Sequence, residues 1–229
     1  MNQLKKYIDA NRQRFIDELI EYLRFPSVSA QSAHKKDMVA CARWLANHVR
    51  SVGLKSRVHR TGGHPIVTIA TPRKRNSTKP HFLVYGHYDV QPPEPLELWK
   101  SPPFVNNWGS GEPLGGNAEP GRDGALYGRG ASDNKGQLFA HLAALRGWFE
   151  VAGGPPVNLR LLIEGEEEIG SPSLGEFIAA HTDELRAEWG VVSDGPMLAP
   201  GMPAVSYGLR GLAYFQLDIS AASADLHSG

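Results

Sequence analysis
The sequence has a single cysteine, Cys41. An intrachain disulfide is therefore excluded, and Cys41 falls in a helical pattern as a small core residue. No excess of either charge is present: 24 basic side chains stand against 24 acidic ones. That balance removes the electrostatic case for a nucleic-acid partner, which needs a basic face. No apolar run approaches the ~20 residues that span a bilayer, so no membrane partner is expected. The opening residues, MNQLKKYIDANRQRF, lack the apolar core of a signal peptide. A cytoplasmic location is the expectation. Apolar residues make up 41% of the chain, too many for a disordered one. Glycine (25) and proline (17) are abundant. Together they form about 18% of the residues against a usual ~12%, which favours a loop-rich α/β fold over a helical bundle. The length of 229 residues suits one large domain, or one domain and part of another.

Apolar spacing predicts an amphipathic helix over 3–24, with Leu4, Ile8, Phe15, Leu19 and Leu23 near one face. Phe25-Pro26 ends it. A second helix is predicted over 36–52, and two short strands near 55–60 and 66–71. The basic stretch at 72–80 reads as a solvated hairpin tip. Residues 81–86 (HFLVYG) form a nearly continuous apolar run, as in a strand covered on both faces. The segment 91–125 is dense in proline and glycine, and 106–121 lacks any periodicity, as in a mobile excursion. Helix 135–150, strand 157–164, a helix after Ser171 and strand 189–193 follow. Ser173 and Glu176 have capping-box spacing. Strands alternating with helices predict a mostly parallel sheet with helices on both faces. Residues 211–220 alternate apolar and polar side chains, the period of a strand with one wet face. They mark the start of a second domain.

Acidic and imidazole groups recur where the predicted strands end. His87 and Asp89 follow the first long strand, and Asp133 precedes helix 135–150. Glu166, Glu167 and Glu168 follow strand 157–164, and Asp194 follows strand 189–193. In open α/β sheets, ligands bind outside the carboxyl ends of the strands. A loop Asp is more often a turn former. Four connections delivering such groups to one rim are hard to ascribe to turns alone. Carboxylates gathered there repel one another unless a cation compensates. A histidine with several carboxylates suits zinc, with manganese or cobalt as alternatives. Within the triple Glu, one carboxylate can bind metal while its neighbour stays free as a base. The plainer reading of that loop alone is a solvated acidic turn.

Six segments carry a family resemblance: VYGHYDVQP (84–92), LWKSPPF (98–104), LYGRGASDNKGQ (126–137), IEGEEEIGS (163–171), SDG (193–195) and DLHSG (225–229). Together they resemble a dizinc metallopeptidase family. It contains carnosinases, cytosolic nonspecific dipeptidases, carboxypeptidase G, aminoacylases and the desuccinylase of diaminopimelate synthesis. GHYDVQP with LWKSPPF is most similar to the dipeptidase branch. The resemblance implies a three-layer α/β/α sandwich with a mostly parallel mixed sheet. Residues 1–205 would be the first segment of the catalytic domain, and 206–229 the start of a lid that also forms a homodimer. It implies two Zn2+ per site. His87 and Asp194 would bind one, Glu168 the other, and Asp133 would bridge them beside a cis peptide to Asn134. Glu167 would act as general base and then acid. Asp89 would hydrogen-bond His87 and fix its tautomer. His227 would reach into the partner subunit's site and stabilise the oxyanion. Glu166 receives no role and reads as a solvated spectator. The substrate would be a dipeptide or an N-acyl amino acid.

The ending departs from the family. The second zinc site lacks its last histidine ligand, and most of the lid is absent. The chain then reads as a fragment, as an inactive truncation product, or as one half completed by a second chain. Weak zinc binding and little peptidase activity are expected of it alone. A non-catalytic interaction protein that kept the fold is the reading from another functional class. His34, His48, His59, His64, His81, His141 and His181 match no motif and read as surface or core residues. Trp99 and Phe104 read as packing residues rather than lining of the site mouth. Arg129 reads as a structural partner of a loop carboxylate or carbonyl.

Overall fold
The computed structural model describes residues 2–72, 78–99, 102–104, 126–199, 201–208 and 210–218. The chain divides into two units, 1–194 and 195–229. The expectations for 106–121 and for His227 lie outside the described residues.

The first unit carries helices α1 (Asn2–Ala10), α2 (Arg12–Leu23), α3 (Lys35–Arg50), α4 (Lys135–Ala152), α5 (Leu174–Ala180) and α6 (Thr182–Leu185). Its strands are β1 (Lys55–His59), β2 (Ile66–Ala70), β3 (His81–His87), β4 (Asn158–Glu164) and β5 (Trp189–Val192). The single helix expected over 3–24 is two helices broken at Asn11. The Asn11 side chain donates to the Tyr7 carbonyl at 2.9 Å, which also accepts the Asn11 backbone N–H at 3.0 Å.

The sheet order is β1-β2-β4-β3-β5. β2 pairs antiparallel with both β1 and β4, while β3 runs parallel to β4 and β5. Only β2 therefore points against the rest, and the sheet is mixed. β4 separates β2 from β3, so the basic stretch at 72–80 cannot be a hairpin tip. It links two strands that are not neighbours. Of that stretch, 73–77 lie outside the described residues.

Period 2 sorts the strand side chains between two covers. Val67, Ile69, Val84, Leu161 and Ile163 pack with Met38, Cys41 and Leu45 of α3 and Leu138, Leu142 and Leu145 of α4. The alternate residues Ile66 and Leu162, with Leu83 and Tyr85, meet Leu174 and Phe177 of α5 and Leu185 of α6. The result is a three-layer α/β/α sandwich. The connection β3-α4-β4 moves one way along the sheet and β4-α5-α6-β5 moves back past β3. Crossovers of one hand in opposite directions lay their helices on opposite faces.

In the second unit, the Leu198 N–H donates to Met202 O at 3.1 Å and the Met202 N–H donates to Ala199 O at 2.9 Å. The strand expected over 211–220 is not formed in its described part, 211–218. Tyr214, Phe215 and Leu217 there are more than 80% exposed. Alternation prepares a strand, but the ladder needs a partner, and no described residue supplies one.

Leu161 sits fully buried in the middle of β4, opposite Ile69 and Val84. Leu161→Ala should lower unfolding stability by about 2–5 kcal/mol, measured by urea denaturation. An effect below 1 kcal/mol would show that this position is not the packed centre of the sheet.

Candidate metal centre
The carboxyl ends of β3, β4 and β5 lie side by side because these strands are parallel neighbours. Each hands its next residues to the same rim. β3 ends on His87, followed by Asp89, and both side chains are fully buried. β4 leads through Gly165 into the acidic turn that includes Glu167–Ile169. β5 leads into Ser193 and Asp194, and Asp133 and Asn134 precede α4.

His87 is the centre of the arrangement. Its Nδ1 lies 3.1 Å from the Asp89 backbone oxygen and 3.4 Å from Asp89 Oδ1. Its Nε2 is buried and makes no hydrogen bond. Around that nitrogen stand Asp133 Oδ1 at 3.2 Å, Asp194 Oδ2 at 3.5 Å and Glu167 Oε2 at 3.8 Å. Burial by itself would lower the His87 pKa. The Asp89 bond and the charges of Asp89, Asp194 and Glu167 outweigh it and push the pKa up to about 9. The rim thus favours positive charge at this spot, whether proton or metal.

Among the described residues, two sets could hold a metal ion: His87, Asp133 and Asp194, and His87, Glu167 and Glu168. With Nδ1 directed at Asp89, the lone pair of Nε2 faces the carboxylates, as a ligating histidine requires. A buried ring nitrogen without a hydrogen bond, ringed by carboxylate oxygens, fits zinc. The pKa of Glu167 is raised, first by burial and then by Glu168, Asp194 and Asp89, against the opposing effect of His87. That of Glu168 is raised by burial and by Asp133, although the bond from Gln91 opposes it.

The peptide between Asp133 and Asn134 is cis. Asn134 has no site role in the sequence reading, yet it is fully buried and joins three parts of the rim. Its Nδ2 donates to Ser193 O at 2.7 Å and Asp194 Oδ1 at 2.9 Å. Its Oδ1 accepts the His87 backbone N–H at 3.4 Å. Asp89 also does more than orient His87. Its two carboxylate oxygens accept the backbone N–H groups of Glu167 (3.2 Å) and Glu168 (3.1 Å). Gln91, another residue without a sequence-derived role, donates to Glu168 Oε2 at 2.6 Å.

Two expectations about the acidic turn are corrected. Glu166 is not a solvated spectator: it is 4% exposed. Its carboxylate accepts the N–H groups of His64 (2.8 Å) and Ser173 (3.0 Å), so backbone amides replace its water. The capping box is not formed either. The Ser173 side chain makes no capping bond, and the Ser173 N–H that Glu176 would accept in a capping box donates to Glu166 instead. Ser171, at φ +53°, lies in the left-handed region that side chains rarely occupy. Its N–H bonds Glu166 O at 2.8 Å and its hydroxyl donates to Glu164 Oε1 at 2.9 Å. Tyr85 donates to the same Glu164 oxygen at 2.5 Å.

Arg129 donates to the Pro92 carbonyl at 2.9 Å and lies 5.3 Å from the Trp99 ring centre. Phe104 packs with Val28 and Val90. No helix among the described residues is long and apolar enough to cross a membrane.

Known proteins resemble this chain in sequence and in fold. A Cys-Gly metallodipeptidase of Schizosaccharomyces pombe is 31% identical over all of this chain and 48% of its own length. The crystal structure of an M20 family metallo-carboxypeptidase from Sulfolobus solfataricus is 35% identical, with a TM-score of 0.67. That match covers 82% of this chain and 38% of the other. Human carnosine dipeptidase 1 superposes with a TM-score of 0.72 at 26% identity, over 85% of this chain and 41% of its own. The chain spans about half the length of the curated relatives it matches. The signature of peptidase family M20/M25/M40 matches residues 83–224, a span that holds His87 and every acidic residue ringed around it. The chain belongs to that peptidase family.

Proposed function
We propose that this chain carries the metal centre of a dipeptidase that hydrolyses the amide bond of small peptides. The single observation behind the reading is the buried His87 Nε2, without a hydrogen bond and faced by three carboxylate oxygens within 3.8 Å. In this proposal His87 and Asp194 would hold one Zn2+ and Glu168 a second, with Asp133 as a ligand as well. Bound zinc would supply Lewis-acid polarisation of the amide carbonyl and a lowered pKa for water.

The protein's own groups do the rest. Glu167 is partly exposed and reaches toward His87 Nε2, so it can take a proton from the attacking water. It then returns that proton to the leaving amine. Asp89 holds the Glu167 and Glu168 amides, fixing the start of both side chains. Asn134 holds Asp194 and the end of β3 in mutual register.

The dipeptide assignment draws on the relatives, among them a Cys-Gly metallodipeptidase and a Cysteinylglycine-S-conjugate dipeptidase of Corynebacterium striatum. We assign residues 1–205 to the first segment of the catalytic domain and 206–229 to the start of the lid. The role of His227, a homodimeric assembly and a cytoplasmic location rest on the family resemblance alone.

Two outcomes are expected. In the protein that carries this chain at its full natural length, Glu167→Ala should lower dipeptide kcat by about 10²–10⁴-fold while bound zinc, counted by atomic emission, is unchanged. Equal turnover by the variant would remove Glu167 from the mechanism. Hydrolysis of N-acyl amino acids but of no dipeptide would make the protein a deacylase. Separately, Asp89→Asn leaves one amide of the acidic turn facing an NH2 group instead of an acceptor. Zinc affinity, measured by competition with a chromogenic chelator, should drop about 10–100-fold. Unchanged affinity would mean that Asp89 does not organise the centre.

A further inference from the structure
We infer that Glu166 is a positioning residue for the metal centre. Its buried carboxylate bolts the Glu167–Glu168 turn to the β1–β2 hairpin and so sets where those two carboxylates sit. The inference rests on the metal-centre part of the reading above.

Glu166 is the first of three successive acidic residues and the only one of the three that is buried. Its Oε1 accepts the N–H of His64, 102 residues away in sequence, at 2.8 Å. Its Oε2 accepts the Ser173 N–H, just ahead of α5, at 3.0 Å. Its backbone oxygen accepts the N–H groups of Ile169 (3.1 Å) and Ser171 (2.8 Å), closing the turn that holds Glu167 and Glu168. One residue therefore ties together the turn, the next helix and a distant hairpin. Hydrogen bonds to a charged acceptor are stronger than neutral ones, so the anchor is stiff.

The hairpin is shaped to receive it. Thr61 donates its hydroxyl to His64 O at 2.7 Å and accepts the Gly63 N–H at 3.1 Å. The His64 ring lies 3.1 Å from Ser29 O, which fixes the hairpin from its far side. A Cβ on Gly63 would stand 1.6 Å from Glu166 Oε1. Any larger residue at 63 must displace the carboxylate and with it the His64 bond.

The acidic turn thus has two carboxylate anchors. Asp89 holds the amides of Glu167 and Glu168 from the β3 side. Glu166 holds the turn from the hairpin side. With Glu166 removed, the turn can pivot about Asp89. Metal–ligand distances tolerate only about 0.2 Å, so a small pivot reaches the metal. A purely structural role for Glu166 would instead lower stability and leave the centre unchanged.

The test, in the same full-length protein as above, compares the wild type with Glu166→Gln, Glu166→Ala, Gly63→Ala and the Gly63→Ala/Glu166→Ala double variant. Zinc affinity is read by chelator competition, the Co2+ form by its visible absorption, and folding by far-UV circular dichroism. Each single variant should weaken zinc about 10–100-fold and alter the cobalt spectrum with the fold intact. The double variant should be no worse than Glu166→Ala, because the added methyl enters space the carboxylate has left. If Glu166→Ala fails to fold, the isosteric Glu166→Gln decides, since its amide can satisfy only one of the two N–H groups. Folded variants with lower melting temperature but wild-type zinc affinity and cobalt spectrum would overturn the positioning role alone. A wild type that binds no zinc would overturn both the metal reading and this inference.

Discussion

One constraint governs the upper edge of this sheet: a wholly buried imidazole must coexist with several carboxylates in a few ångströms. His87 Nε2 has Asp133, Asp194 and Glu167 oxygens between 3.2 and 3.8 Å away. Negative charge packed so closely favours a cation at the focus. The fold concentrates the charge because β3, β4 and β5 are parallel neighbours that end together. The helical connections leave toward opposite faces, the arrangement at which open α/β sheets bind ligands. Chemistry and topology therefore point to the same place.

The second theme is how hydrogen bonds hold the rim in place. Asp89 and Glu166 use carboxylates to accept backbone N–H groups. Asn134 uses an amide for the same end, reaching Ser193, Asp194 and His87 at once. Preformed dipoles of this kind fix geometry before any ligand arrives. Ser171 shows what the turn requires locally: a non-glycine residue at positive φ, kept there by bonds to Glu166 and Glu164. Glu164 is itself buried under Tyr85 and Ser171. Burial raises its pKa while the two hydroxyl bonds lower it, and the rise prevails.

The elements of the first unit were legible because their signals are local. Apolar spacing marked α3, α4 and the strands to within a few residues, and loop chemistry placed His87, Asp133, Glu167, Glu168 and Asp194 after strands or before a helix. The break at Asn11 was not legible, since the apolar spacing runs on from Ile8 to Phe15 across it. The hairpin reading of 72–80 failed because neighbours in sequence were assumed to be neighbours in the sheet. β4, more than 75 residues later, inserts between β2 and β3. Residues 211–218 carry the alternation of a strand, yet alternation describes one strand's faces and not its partner.

Glu166 shows most clearly where the division falls. Its neighbours Glu167 and Glu168 could be singled out because acidic residues after a strand suggest a site. Nothing in the triple Glu said which member would turn inward. That choice depends on the His64 and Ser173 amides, one of them 102 residues away, and on the missing side chain at Gly63. The sequence by itself determined which groups exist and on which connections they travel, because periodicity and turn chemistry act over a few residues. Only the tertiary structure decided which of them meet, since hydrogen-bond partners and buried charge are properties of distant segments brought into contact.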